Sequence, residues 1–256
     1  MHAWLYNGEM FVLKYAWIIF PLYFLLSIIS EVFEQPSQEC NFLLASFFVS
    51  ILGLCETSFD AIDLWSRNGK TYFFKGNNYW RLDDAKRCAE RNFPKNVSNW
   101  KGVPGNIDEM LLWGHNWGTY FFKGNRYCRY DDYNDRAGTF WLISQGWPGV
   151  PDNIDAAFTH SDGKTYFFKG RLVYQFDNVA DRVSAGYPKL VSAVFPGLPD
   201  NLDTAFRWYK DMKSYFFKGV EFYIWRDSLN RADGPFLSKY NWKNHCFVWK
   251  TISINL

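Results

Sequence analysis

Three things are scarce in this 256-residue sequence, and each scarcity removes a class of function. Histidine occurs four times, at His2, His115, His160 and His245, always isolated. No His-Glu-x-x-His helix is present, so a zinc-hydrolase constellation is excluded. Charge of one sign is also scarce: 28 basic and 26 acidic residues leave a net charge of +2. A nucleic-acid partner would require a denser basic face than this. Long hydrophobic runs are missing too. Tyr15 to Ile29, preceded by Lys14, and Phe42 to Cys55 are apolar runs separated by the polar stretch Glu31 to Asn41. Each falls short of the roughly 20 residues of a membrane span and fits the core of a secretory signal. Residues 1–54 therefore read as a signal-peptide leader that marks an extracellular, secreted protein. The alternative is an uncleaved anchor from Met10 to Ser30 with Lys14 snorkelling to the interface, leaving the protein membrane-anchored with its folded part outside. No Ser/His/Asp or nucleophilic cysteine arrangement stands out, and the many carboxylates read as ordinary solvated surface.

Aromatic residues are abundant. They make up 21% of the chain, as 13 Trp, 16 Tyr and 25 Phe, and such side chains favour strands over helices. They are organised by a repeat: Tyr72-Phe-Phe-Lys-Gly76, Tyr120-Phe-Phe-Lys-Gly124, Tyr166-Phe-Phe-Lys-Gly170 and Tyr215-Phe-Phe-Lys-Gly219, at intervals of 48, 46 and 49 residues. An aspartate precedes each copy, Asp60, Asp108, Asp155 and Asp203, at spacings of 12, 12, 11 and 12 residues. Three copies are introduced by one phrase, as in Trp147-Pro-Gly-Val-Pro-Asp-Asn-Ile-Asp155, with Trp100 and Phe195 opening the other two. A period near 47 residues, rich in β-formers and punctuated by Gly, Pro and Asn, matches a propeller blade of about four strands. The fold predicted is an all-β, four-bladed β-propeller over residues 55–246, with blades at about 55–103, 104–150, 151–198 and 199–246 and a tail from 247 to 256. In each blade the stretch after the third strand is read as a fourth strand or a short helix.

Two cysteines bracket the repeats. Trp242-Lys-Asn-His-Cys246 aligns with Trp100-Lys-Gly-Val-Pro104, and Cys55 lies five residues before Asp60, so both fall where the last blade meets the first. A Cys55–Cys246 disulfide there closes a loop of nearly the whole domain, worth about 5 kcal/mol in the chain-entropy model, and requires an oxidising compartment. Cys128 replaces the aromatic of the sister blades and reads as a buried free thiol. Cys40 and Cys88 are undecided, and a total of five leaves at least one unpaired within the monomer. Asn96-Val-Ser98 is an N-glycosylation sequon. The four motif lysines, Lys75, Lys123, Lys169 and Lys218, read as a turn position repeated by the fold rather than a heparin site.

The Asp-Ala-Ile start, the Tyr-Phe-Phe-Lys-Gly strand, the Tyr-Trp-Arg strand, the Pro-Gly junctions and the bracketing cysteines resemble hemopexin repeats, the propeller domain of matrix metalloproteinases, vitronectin and hemopexin. The resemblance covers Cys55 to Cys246. It implies a non-catalytic binding module, not an enzyme, whose partners are extracellular proteins: matrix proteins, proteases or their inhibitors. It also implies a structural calcium in the central tunnel on main-chain carbonyls of Asp60, Asp108, Asp155 and Asp203, with Ile62, Met110, Ala157 and Ala205 as a second ring. The alternative occupant is water or sodium. Asp84 to Lys95 and Asp177 to Lys189, which vary between blades, are the expected contact regions. Two further readings follow the family. One is a haem-binding carrier, with His115 and His160 near blade starts; the other is the hemopexin domain of a matrix metalloproteinase-like protein without its zinc domain.

Overall fold

The computed structural model describes residues 58–83, 88–241 and 246–250. The leader, Cys40 and Cys55 lie outside the described residues. Each Tyr-Phe-Phe copy is the second strand of an antiparallel meander, as its large β-forming side chains dictate. The first blade runs through β1 (Ala61–Leu64), β2 (Thr71–Lys75) and β3 (Asn78–Asp83). Its outermost layer is two short pieces, β4 (Cys88–Ala89) and β5 (Lys95–Asn96), both paired with β3. The second blade repeats this with β6 (Glu109–Trp113), β7 (Gly118–Lys123), β8 (Arg126–Asp131), β9 (Arg136–Ala137) and β10 (Trp141–Leu142), followed by the one-turn helix α1 (Ile143–Gly146). The third has β11 (Ala156–Thr159), β12 (Thr165–Lys169), β13 (Leu172–Asp177), β14 (Arg182–Val183), β15 (Lys189–Leu190) and α2 (Val191–Val194). The outer layer thus takes both expected forms, a broken strand and then a helical turn.

The fourth blade departs from its sisters. After β16 (Thr204–Trp208), β17 (Lys213–Lys218) and β18 (Glu221–Arg226), a single long strand β19 (Arg231–Asn241) pairs with β20 (Cys246–Lys250). β20 also pairs with β4, so the sheets of the first and fourth blades form one continuous sheet. Paired structure therefore continues to Lys250 where a tail was expected from 247; Cys246-Phe-Val-Trp-Lys250 is composed largely of residues that favour strands. At this seam the main chain of Cys246 stands opposite that of Cys88.

The inner strands β1, β6, β11 and β16 are mutual neighbours around one axis, and β1 touches both β6 and β16, closing the ring. Between successive blades stands the aromatic that opens the junction phrase. Trp100 lies 5.1 Å from Tyr79's neighbour Tyr72 and 5.4 Å from Phe121 of the next blade. Trp147 lies 5.6 Å from Tyr120 and 5.1 Å from Phe167, and Phe195 lies 5.0 Å from Tyr166 and 5.1 Å from Trp225. All three are buried. A blade has an apolar face that it cannot cover alone, and these wedges cover it, each aromatic burial contributing about 1.5–3 kcal/mol.

Replacing Trp147, 1% exposed, by alanine is expected to lower stability by about 3–5 kcal/mol in urea unfolding. Trp141→Ala, at a residue 54% exposed, is the control and should change stability by less than about 0.5 kcal/mol.

Candidate binding site: the axial tunnel

At one end the tunnel opens into a cavity of about 620 Å³ whose wall repeats around the axis. The repeated unit is a clamp. Asp60 Oδ2 accepts the Gly76 N–H at 2.7 Å while Oδ1 meets Lys75 Nζ at 2.7 Å. Asp108 does the same with Gly124 and Lys123 (2.6 and 2.8 Å), and Asp155 with Gly170 and Lys169 (2.6 and 2.7 Å). Asp203 accepts Gly219 N–H at 2.6 Å, but Lys218 donates instead to the Asp200 carbonyl. The clamp explains the motif: the four turn glycines hold φ between 57° and 62°, a left-handed conformation that glycine adopts without strain, and the lysine is the cation next in line. Asn106, Asn153 and Asn201 are also left-handed, with φ of 53°, 52° and 56°, and their N–H groups donate to the carbonyls of Gly76, Gly124 and Gly170. Asparagine tolerates that region better than other side chains.

Further in, the tunnel holds two carboxyl groups that are not solvated surface as expected. Glu109 and Asp63 are buried. Glu109 Oε1 accepts Met110 N–H at 2.9 Å and Oε2 accepts Ala157 N–H at 2.9 Å from the third blade. The Thr204 hydroxyl of the fourth blade lies 3.1 and 3.2 Å from its two oxygens, and itself accepts Ile62 N–H of the first at 3.0 Å. Asp63 accepts Leu64 N–H at 2.7 Å and, across to the second blade, Leu112 N–H at 2.6 Å. Burial pushes both carboxyls well above the usual carboxylate range, and the N–H groups pull each partly back.

The opposite end is closed by aromatic hairpin tips. Trp117 of the second blade packs on Tyr209 of the fourth at 5.5 Å, beside a cavity of about 390 Å³ floored by Leu64 and Leu112. Burial raises the Tyr209 hydroxyl to about 12, so it stays a neutral phenol. Here the inner hairpins of the first three blades each meet the outer hairpin of the next blade. Trp65 Nε1 donates to Asp132 at 2.6 Å, Trp113 Nε1 to Asn178 at 3.2 Å, and His160 Nε2 stands 3.3 Å from Asp227.

Of the residues named from the sequence, the two tunnel rings lie together. The four aspartates form the mouth, and Ile62, Met110, Ala157 and Ala205 form a fully buried level beneath it. Cys128 is a buried free thiol, pushed up to about 12 by desolvation. Asn96 is exposed on β5, with Oδ1 accepting the Ser98 N–H at 2.9 Å. The two haem-ligand candidates do not form a pair: His115 sits exposed against Trp113, while both ring nitrogens of His160 face carboxylates, Asp162 and Asp227, at 3.3 Å. Glu109, Asp63 and Thr204 were missed. Their signal was a departure from the repeat, since Ala61 and Ala156 occupy the place of Glu109.

Comparison with known proteins agrees with this architecture. The family model Hemopexin matches residues 59–105, 116–152 and 154–200, more than half of the chain. The chain belongs to the hemopexin family. It is 33% identical to human (Homo sapiens) matrix metalloproteinase-21 over 183 residues, covering 62% of this chain and 32% of that protein. Against matrix metalloproteinase-2 of Drosophila melanogaster it is 34% identical over 203 residues, 73% of this chain and 20% of the relative. The chain thus corresponds to between a fifth and a third of these relatives, and the matched region is their hemopexin part. Among solved structures, the hemopexin fold protein CP4 from cow pea superposes with a TM-score of 0.55 at 20% identity, over 67% of this chain and 88% of that one. Among the described residues no cluster of three or more metal-ligating side chains occurs, and no helix is long and apolar enough to cross a membrane.

Glu109 and Asp63 hold their protons more tightly folded than unfolded. Their contribution is therefore most favourable below the usual carboxylate range and declines as pH rises from that range toward their raised values. Glu109→Gln should flatten part of that decline, read as a shallower slope of urea midpoint against pH; an unchanged slope would mean Glu109 does not titrate there.

Proposed function

We propose that this protein is a secreted, non-catalytic binding module that recognises extracellular proteins: a matrix protein, a protease or a protease inhibitor. The observation that carries the reading is the contrast between a scaffold repeated in every blade and hairpin tips and outer stretches that differ between them. Asp177 to Lys189 spans β14, an exposed tip and the approach to β15, and belongs to that variable set. A rigid ring that presents dissimilar loops is suited to recognition, and loops on such a frame carry binding more often than the frame does. The hemopexin region of a larger matrix metalloproteinase-like protein is the second reading, favoured by the relatives it matches. Haem carriage is disfavoured because His115 and His160 do not form a ligand pair and carboxylates of Asp162 and Asp227 stand 3.3 Å from the His160 ring.

The tunnel mouth suits a structural calcium. The aspartate side chains are committed to their clamps, so a cation there would be held by the main-chain oxygens of Asp60, Asp108, Asp155 and Asp203, and hard cations take oxygen ligands. The same reading places a Cys55–Cys246 disulfide at the seam and a glycan on Asn96.

Immobilised secreted protein incubated with matrix extract, in calcium and again in chelator, should retain a saturable extracellular protein and melt at a higher temperature with calcium. Retention of haemin with a Soret band and of no protein would replace the binding-module reading, and an unchanged melting temperature would remove the calcium. Peptide mapping without reductant should find Cys55 linked to Cys246 and a glycan on Asn96. A Cys88–Cys246 linkage, matching the opposed main chains of β4 and β20, would overturn the first assignment.

A further inference from the structure

At the end of the ring away from the mouth, the inner strands reach a last level made of Leu64, Leu112, Thr159 and Arg207. Each stands opposite a threonine or serine on the second strand of its own blade. Arg207 is the departure. Its Nε is buried without a hydrogen-bond partner, and among the described residues no carboxylate pairs with its guanidinium, which lies 5.8 Å from the Tyr209 ring. An unsatisfied buried donor is costly, and the leucine of two sister blades avoids that cost. Tyr209 is in turn a wall of the cavity of about 390 Å³ on this face, with Trp65 and Trp117 beside it and Leu64 and Leu112 beneath.

Trp117 is a second departure at the same place. It holds a left-handed φ of 56° where the first and third blades have glycine, and it is 58% exposed. Strain kept at an exposed aromatic is a mark of use rather than of packing. On the first-blade side a Cβ placed on Gly69 would meet no atom within 4 Å, so the cavity is open there. Its lining contains one charged residue, Lys210, and no acid. Asp132, behind Trp65 and Ser66, has one oxygen taken by the Trp65 indole and the other by the Ser66 hydroxyl. Asp211, next to Lys210, accepts from the Lys213 N–H and the Tyr215 hydroxyl. The cavity is thus apolar at its floor and aromatic at its walls, with two cations beside it and the nearby carboxylates already engaged.

We propose that this cavity seats one leucine or aromatic side chain of an acidic segment in a partner protein, with a carboxylate of that segment supplying the counter-charge to Arg207 and Lys210. The inference rests on the binding-module reading and assigns it a face. A volume of this size is at the low end for a binding pocket and takes a single large side chain. A sulfated glycan would use the cations and leave the apolar floor unfilled.

The test titrates three peptides into the full-length secreted chain, followed by its backbone amide and indole N–H resonances. They are acetyl-Glu-Asp-Phe-Asp-Glu-amide, the same peptide with alanine for phenylalanine, and the same peptide with lysine at all four acidic places. Trp117→Gly and Arg207→Leu install what sister blades already carry, so both should melt within about 3 °C of wild type. The acidic phenylalanine peptide should bind wild type saturably, and each of the two variants should weaken it about tenfold, as loss of an aromatic or arginine anchor does. The alanine and lysine peptides should bind wild type more weakly by a similar factor. Should Arg207→Leu fail to accumulate, Arg207→Gln removes the charge and keeps most of the reach. No saturable binding, equal affinity for all three peptides, or affinity unchanged in either variant overturns the proposal. Displacement of the acidic peptide by a heparin tetrasaccharide that binds wild type and Trp117→Gly alike replaces the peptide with an anionic glycan. An extracellular protein retained equally by wild type and both variants leaves the binding module standing and removes this face from it; retention by none of the three removes the module reading itself.

Discussion

Four inner strands meeting around one axis leave very little space between them, and every main-chain group that turns inward must find a partner there. This requirement governs the rest of the molecule. A strand normally gives its N–H groups to its neighbours in the sheet, but the innermost strand of a blade has a neighbour on one side only. The chain answers with short polar side chains that reach to the adjoining blade. Asp63 reaches Leu112, Glu109 reaches Ala157 and Thr204 reaches Ile62, all running from one blade to the next in the same sense around the ring. Thr159 leans the other way and takes Gly114 N–H at 3.0 Å. The core of a propeller this small is therefore polar at its axis and aromatic in the wedges between blades.

The two layers divide the energetics between them. Trp100, Trp147 and Phe195 bury apolar surface and set how far apart the blades stand, an interaction that depends on area and shape. The axial bonds contribute less net free energy, because each replaces a bond to water, but an axial donor left without an acceptor would be penalised fully. The wedges thus hold the blades together, and the axial side chains select one arrangement of them. At the mouth the Asp–Gly–Lys clamps extend the same logic outward by fixing where each inner strand begins relative to its own second turn.

Much of this was legible in the sequence because it repeats. The period gave the blade, the Asp-to-Tyr spacing gave the inner hairpin, and the recurrence of Lys-Gly marked a turn. The carboxylates at the axis were not legible for the same reason. A repeat directs attention to what is shared, and Glu109 and Asp63 are single deviations among 26 acidic residues in a chain of ordinary charge. Nothing local distinguishes a glutamate whose side chain points along an axis from one pointing at water; the distinction needs the neighbouring blade. The extension of pairing to Lys250 escaped for a related reason, since Cys246 to Lys250 has no counterpart in the other blades.

The distribution of commitment over the disk also bears on recognition. On the mouth face, three of the four motif lysines are paired to aspartates and the fourth to a carbonyl, and the asparagines are held by their own backbone conformation. These side chains cannot change without loosening the clamps. On the opposite face the inner hairpins share one left-handed position, filled by Gly69 and Gly163 in the first and third blades but by Trp117 and Met212 in the second and fourth. Both large residues are more than half exposed and pay steric strain that glycine would avoid. The outer tips of the second and third blades present Tyr133 and Val179 at corresponding places, where the fourth has Ser228 followed by Leu229, and all three large side chains are exposed. Folding requires none of these choices. A ring whose one face is fixed by its own architecture and whose other face is free to differ blade by blade concentrates the capacity for selective contact on the second, and that asymmetry follows directly from where the repeat places its clamps.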